Sequence, residues 1–92
     1  MYKQISTPAV VIELNTAERN IRRMVEENRR FGIAHRPHIK AHKCIKLAKL
    51  QLAMGACGIT CAKLGEAEVM ADGGVNDILL AFPLIGDDKL QR

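Results

Sequence analysis

Short apolar segments alternate with helical patterns along most of this 92-residue chain, and that order limits the possible fold more than any other feature. Strands are predicted over Ile33 to Ile39, Gly58 to Ala62 and Asp77 to Ala81, separated by helices over about His42 to Met54 and Leu64 to Ala71. Strands joined by single helices pair in parallel through right-handed crossovers. We therefore expect an α/β fold with a parallel sheet. The side chains expected to pack the two helices against the sheet are Ile45, Ala48, Leu52, Ala67 and Met70.

The N-terminal segment predicts one more strand and a long helix. Ala9 to Leu14 follows Pro8 and has the apolar character of a strand. Asn15-Thr16-Ala17-Glu18 matches a capping box, in which the Asn15 side chain accepts from a free amide and Glu18 reaches back. The apolar spacing that follows predicts a helix of about four turns, ending at Gly32.

Lys40 is the residue to which the pattern gives a chemical role. The carboxyl ends of parallel strands share one edge of a sheet, so Lys40, Ala62 and Phe82 should meet there, with the Lys40 amine pointing inward. A partly desolvated lysine can form Schiff bases with carbonyl compounds. His38, Lys40 and His42 alternate, so extended backbone would point all three to one face. The alternative is a basic, solvated loop.

Charge and composition exclude several classes of function. Lysine and arginine number 14 against 10 acidic residues, giving a net charge of +4, but Glu18/Arg22 and Glu26/Arg30 have the spacing of surface ion pairs on a helix. Aromatic residues make up 3%, too few for base stacking, so we expect no nucleic-acid partner. The chain has neither the ~18 apolar residues of a membrane span nor a signal-peptide pattern, so we expect a cytoplasmic protein without a membrane partner.

The cysteines favour buried thiols over disulfides or a metal site. Cys44, Cys57 and Cys61 are an odd number without a secretory context. A zinc site that combines Cys57 and Cys61 with His35 or His38 is the weaker alternative, because the two cysteines lack the C-x-x-C spacing. We therefore predict no metal site in this chain.

The C-terminal end of the chain indicates part of a larger fold. Gly86 to Arg92 matches a helix start followed by about one turn. Three parallel strands cannot close a barrel, and they leave two sheet edges exposed. We expect the front part of a longer protein, with a flexible C-terminal tail as the alternative.

Three motifs together resemble a known enzyme family. The segment from Arg36 to Lys43 reads Arg-Pro-His-Ile-Lys-Ala-His-Lys, with Thr7-Pro8-Ala9 before it and Gly65-Glu66-Ala67-Glu68 after it. This pattern resembles the D-threonine aldolase and D-serine dehydratase group of alanine-racemase-like, fold-type III pyridoxal phosphate enzymes. The resemblance implies a (β/α)8 barrel followed by a C-terminal β domain. Residues 1–14 would then be a strand that joins the β domain, and residues 15–92 a partial barrel truncated after about three strands.

The resemblance also implies a cofactor and residue roles. Lys40 would hold pyridoxal phosphate and act as the catalytic base, and His38, His42 and Arg36 would contact the cofactor. As alternatives, the histidines would be hydrogen-bonded structural groups, and Arg36 would pair with a neighbouring carboxylate or lie on the surface. Glu66 and Glu68 are expected to be structural, since acidic side chains suit the first turn of a helix.

The function implied is a lyase acting on D-β-hydroxy amino acids, with D-threonine cleaved to glycine and acetaldehyde as the leading hypothesis. A D-serine dehydratase-like lyase and a non-catalytic pyridoxal phosphate-binding barrel protein are alternatives, and a partner-binding module that oligomerises through its sheet edges is another. The family also uses a divalent metal, whose ligands would lie beyond this chain. We expect a small D-amino acid as substrate, a homo-oligomer, and no activity from the 92 residues alone.

Overall fold

The computed structural model describes residues 4 to 92 and contains short helices around a small parallel sheet. The elements of this part of the chain, in order, are α1 (Leu14–Arg30), α2 (Ile45–Ala53), β1 (Ile59–Cys61), α3 (Leu64–Asp72), β2 (Ile78–Leu80) and α4 (Asp87–Gln91). The α/β class is confirmed. No helix between residues 4 and 92 is long and apolar enough to cross a membrane.

The sheet is parallel, as the alternating order predicts. β1 and β2 pair in register from Ile59 opposite Ile78 to Cys61 opposite Leu80. Residues 35 to 40, which we call the Lys40 segment, run parallel to β1 on its other side through a bridge between His38 and Thr60. The three hydrogen bonds that join the Lys40 segment to β1 are Cys57 N–H to His35 O (2.8 Å), Thr60 N–H to Pro37 O (2.8 Å) and Ile39 N–H to Thr60 O (2.9 Å).

One face of the sheet is covered by helices and forms the core. Ile39, Ile59 and Cys61 are fully buried there, against Ala48 of α2 and Met70 of α3. The predicted packing of the two helices is confirmed. The remaining residues packed on this core are Val75 and the partly buried Ile45, Leu52, Ala67, Ile78 and Leu80.

The opposite face of the sheet is not covered by the described part of the chain. Successive side chains of a strand point to opposite faces, so His38, Thr60 and Leu79 share this second face, which we call the uncovered face. Leu79 is 53% exposed on it. Parallel sheets are normally buried on both faces, so the uncovered face is a surface that further structure would cover.

The helix start predicted for the N-terminal segment is wrong. Residues 9 to 13 pair with no strand between residues 4 and 92, Val10 is 93% exposed, and Leu14 is already helical. The N-cap of α1 is Glu13 instead of Asn15, and its carboxylate accepts from Asn15 N–H (3.3 Å) and Thr16 N–H (2.6 Å). The anionic cap suits the positive end of the helix, which explains the earlier start. Pairing of residues 1–14 with a further β domain stays a prediction.

Candidate functional site

The carboxyl ends of the three parallel segments lie at one edge of the sheet, which we call the carboxyl edge. Ile39 N–H bonds to Thr60 O, and Ala81 N–H bonds to Cys61 O at 2.9 Å. Lys40, Ala62 and Phe82 each follow directly after these paired positions. The predicted placement of the three residues at a common edge is therefore confirmed.

Lys40 lies in a closed turn at that edge. The turn is closed by a hydrogen bond of 2.8 Å from Lys43 N–H to Ile39 O, and Lys43 has a φ of 50°, in the left-handed region. The helix predicted from His42 therefore begins only at Ile45. Lys40 itself is exposed, and the structure places no ion pair on its amine within residues 4 to 92.

The two histidines of the motif have different surroundings. Nδ1 of His38 accepts a hydrogen bond from Lys40 N–H at 3.2 Å, which assigns the proton of the neutral ring to Nε2 and leaves that atom for a ligand. His42 is half-buried and uses both ring nitrogens: Nδ1 accepts from Cys44 N–H (2.9 Å), and Nε2 lies 3.1 Å from Gln51 Oε1. The structure thus brings His38 to Lys40 and ties His42 to α2. A cofactor contact of His42 stays a prediction.

Arg36 lies at the amino end of the strands, away from the turn. Its guanidinium bonds to Ile59 O (3.0 Å) and to Asp77 Oδ1 (2.7 Å), and this contact with the carboxylate raises the pKa of Arg36. Gly58 lies beneath it: a Cβ there would be 2.5 Å from Arg36 Nη1 and 2.7 Å from Asp77 O. Arg36 thus pairs with a neighbouring carboxylate, as the alternative prediction had it. A cofactor contact of Arg36 stays a prediction.

Glu66 connects two loops of the carboxyl edge, a role that the sequence did not reveal. Its carboxylate accepts from the backbone N–H of Ala62 (2.8 Å) and Lys63 (3.3 Å), and lies 3.4 Å from Lys43 Nζ. Its side chain is 9% exposed. The hydrogen bond from Ala62 N–H is the main reason why the pKa of Glu66 is lowered, with a further contribution from Lys43. The only sequence signal was its position four residues after Ala62, in the first turn of α3.

The carboxyl edge fits the aldehyde end of pyridoxal phosphate. Such a group needs an accessible lysine amine, which Lys40 supplies, and a polar neighbour, which His38 Nε2 supplies. Across residues 4 to 92, no three His, Cys, Asp or Glu side chains lie close enough together to hold a metal ion.

Comparison with known proteins finds relatives that this chain matches over only part of their length. The chain is 38% identical over 90 residues to 3-hydroxy-D-aspartate aldolase of Paracoccus denitrificans, covering 97% of this chain and 23% of that protein. It is 44% identical over 80 residues to D-threo-3-hydroxyaspartate dehydratase of Delftia sp. HT23, covering 87% and 21%. The crystal structure of D-threonine aldolase from Filomicrobium marinum superposes with a TM-score of 0.90 at 39% identity, covering 95% and 24%.

No protein-family model matches the chain. The chain spans less than a quarter of the length of the relatives it matches. These identities and the shared fold agree with the resemblance to this enzyme group. The chain is thus homologous to the N-terminal part of the D-threonine aldolase group of lyases, which includes 3-hydroxy-D-aspartate aldolase and D-threo-3-hydroxyaspartate dehydratase.

Proposed function

We propose that the full-length protein containing this chain is a pyridoxal phosphate-dependent lyase that cleaves D-β-hydroxy amino acids, and that the chain supplies its reactive lysine. The observation that carries the proposal is the exposed Lys40 at the carboxyl edge, free of the ion pairs that engage Lys43 and Arg36. Parallel barrels carry their chemistry at this end of the strands. Two of the three relatives described above are aldolases, which favours carbon–carbon cleavage.

The residues of the chain have separate tasks in this proposal. Lys40 would hold the cofactor and would exchange a proton at the substrate Cα. His38 orients cofactor or substrate through Nε2, because Nδ1 is occupied by Lys40 N–H. Pyridoxal phosphate, when bound, supplies an electron sink for the bonds at Cα. Arg36 and His42 support these two residues, Arg36 from the amino end of the strands and His42 through its contact with Gln51 of α2.

The substrate proposed first is D-threonine, cleaved to glycine and acetaldehyde. A dehydratase acting on a D-3-hydroxy amino acid is the second candidate, because the Delftia relative with that name is 44% identical. One solved structure of a mutant D-threo-3-hydroxyaspartate dehydratase is of the metal-free form. We therefore propose a divalent metal for the whole protein as well, held by residues outside this chain. A non-catalytic cofactor-binding barrel protein is the remaining alternative.

The proposed setting is the cytoplasm, and the proposed assembly is a homo-oligomer of the whole protein with a small D-amino acid as its ligand. Three free cysteines suit a reducing compartment. The uncovered face and the exposed strand edges are surfaces that further segments or a second subunit would cover.

Reductive trapping tests the proposal. The full-length protein is incubated with pyridoxal phosphate, reduced with borohydride and digested, and the label should map to Lys40. Lys40→Arg should lose the label and at least about 1000-fold of the D-threonine turnover, while Lys46→Arg, on the exposed side of α2, should keep both. Release of acetaldehyde would support the aldolase, and release of ammonia the dehydratase. Label on Lys43 or Lys63 with Lys40 unmodified would refute the assignment.

A further inference from the structure

The ion pair between Lys43 and Glu66 lies beside the proposed site without belonging to it. Lys43 closes the turn that contains Lys40, through its backbone N–H to Ile39 O at 2.8 Å. Its side chain reaches across to Glu66, with Nζ 3.4 Å from Oε2. Glu66 in turn holds the amides of Ala62 and Lys63, which follow β1. The pair thus joins the loop after the Lys40 segment to the loop after β1.

Two further features of the pair suit a role in positioning. Glu66 is 9% exposed and uses both carboxylate oxygens, so its position is determined by backbone groups of a neighbouring element. Lys43 has a left-handed φ of 50°, which an L-residue adopts only when its surroundings hold it there. The Lys43 side chain is 58% exposed, so the pair contributes little to overall stability. Its effect is expected on the geometry of the turn.

We propose that Lys43 and Glu66 are positioning residues that hold the Lys40 turn against the start of α3 and thereby set the place of the Lys40 amine. This inference rests on the proposed function of Lys40. Without the pair, the turn keeps its backbone hydrogen bond and the packing of Ile39 against Met70, but within the described residues it loses its only ion pair with α3. A small displacement of a reacting group is enough to slow its reaction severalfold to a hundredfold.

Suitable substitutions can remove the ion pair while keeping the hydrogen bonds at the start of α3. Glu66→Gln keeps an oxygen for the amides of Ala62 and Lys63 but removes the charge that attracts Lys43. Lys43→Met keeps the length of the side chain and removes its charge. Lys43→Arg restores a cation, and Lys46→Met is the matched control for a lysine lost from an exposed position.

The primary measurement is the rate at which pyridoxal phosphate is trapped on Lys40 by borohydride in the full-length protein. Lys43→Met and Glu66→Gln should each slow the trapping about tenfold. The double variant should be no slower than either single variant, because both remove the same link. Lys43→Arg should recover most of the rate, and Lys46→Met should stay within about twofold of wild type.

A second measurement does not depend on the cofactor. Amide hydrogen exchange of the peptide that spans residues 39 to 44 should accelerate about tenfold in Lys43→Met relative to Lys46→Met, because the turn opens more often without its anchor. Trapping of wild type and both pair variants at equal rates would overturn the inference while leaving the role of Lys40 intact. If wild type is not labelled on Lys40, the proposed function fails. Equal amide hydrogen exchange in Lys43→Met and Lys46→Met would then overturn the positioning role as well.

Discussion

At the scale of single residues, Glu66 is a carboxylate whose charged form is stabilised by the fold. Its pKa is lowered in the folded chain, mainly by Ala62 N–H and then by Lys43. An unfolded glutamate has a pKa of about 4.3. The stabilisation by Glu66 is therefore complete above that value, and it is lost as the pH falls through the lower pKa of the folded state.

The lowered pKa of Glu66 predicts how its contribution to stability changes with pH. The free energy of unfolding of wild type should exceed that of Glu66→Gln at pH 7, and the difference should shrink as the pH falls from about 5 towards 3. Urea denaturation of both variants, each in the full-length protein, measures this difference across that pH range. Glu26→Gln, an exposed change on α1, is the control for a lost surface charge. A difference that is constant over the range would contradict the prediction.

A second residue-scale prediction concerns Gly58. A Cβ at this position would be 2.7 Å from the backbone oxygen of Asp77 as well as 2.5 Å from Arg36, and the backbone oxygen cannot move away cheaply. Gly58→Ala should lower the free energy of unfolding by about 1–3 kcal/mol. Gly65→Ala is the matched control, since nothing lies within 4 Å of a Cβ there. That change should be neutral or stabilise α3 by up to about 1 kcal/mol. Equal stabilities of the two variants would count against the close contact.

At the scale of elements, α2 and α3 depend on a small shared core. Met70 is 1% exposed among Ile39, Ile59 and Cys61, so Met70→Ala should leave a cavity and cost about 2–5 kcal/mol. Met24→Ala changes the same residue type where it is 51% exposed on α1, and should cost less than about 1 kcal/mol. Equilibrium denaturation compares the two. Similar losses would show that α3 does not depend on this core.

The order and direction of the central elements could be predicted from the sequence, because each is encoded by its own local pattern. The predicted strands Gly58 to Ala62 and Asp77 to Ala81 correspond to β1 and β2, each shorter by one residue at either end. The helix Leu64 to Ala71 corresponds to α3, with its end moved by one residue. Periodicity identifies such elements well and their last residues poorly.

The helix starts were predicted poorly because neighbouring groups compete for the same amides, and the predicted N-terminal strand depends on a distant partner. A strand over Ala9 to Leu14 needs a partner that no local pattern can supply, and the carboxylate of Glu13 competes with Asn15 for the helix start. The start of α2 was placed too early because the carbonyl of Ile39 draws Lys43 N–H into a turn. Lys40 could be proposed as a site residue from its motif alone, whereas the link from Lys43 to Glu66 required the fold.

At the scale of the whole molecule, residues 4 to 92 form a flat and open structure. Their principal extents are 48 × 41 × 19 Å and their radius of gyration is 15.3 Å. A compact domain of this length has a radius of gyration of about 12 Å. Much apolar surface therefore remains exposed, including Leu79 on the uncovered face and Phe82 at the carboxyl edge.

This openness predicts how the 92-residue polypeptide behaves alone. It should associate or melt broadly instead of unfolding as a cooperative monomer, and it should show no measurable cleavage of D-threonine. Analytical ultracentrifugation, calorimetry and an acetaldehyde assay measure these three properties, with the full-length protein as the reference. A sharp melt from a monomer in dilute solution would contradict the expectation.

The contact of Arg36 with Ile59 O and Asp77 has a consequence for errors in strand alignment. One guanidinium spans three neighbouring segments, so a slip of the Lys40 segment by a single residue would break it. Because side chains alternate along a strand, that slip would turn His38 towards the helices and Ile39 towards the uncovered face. Arg36 therefore helps to fix the register of the Lys40 segment. A substitution that breaks its contacts at the amino end of the strands would displace His38, and the effect would be measured as lost activity at the carboxyl edge.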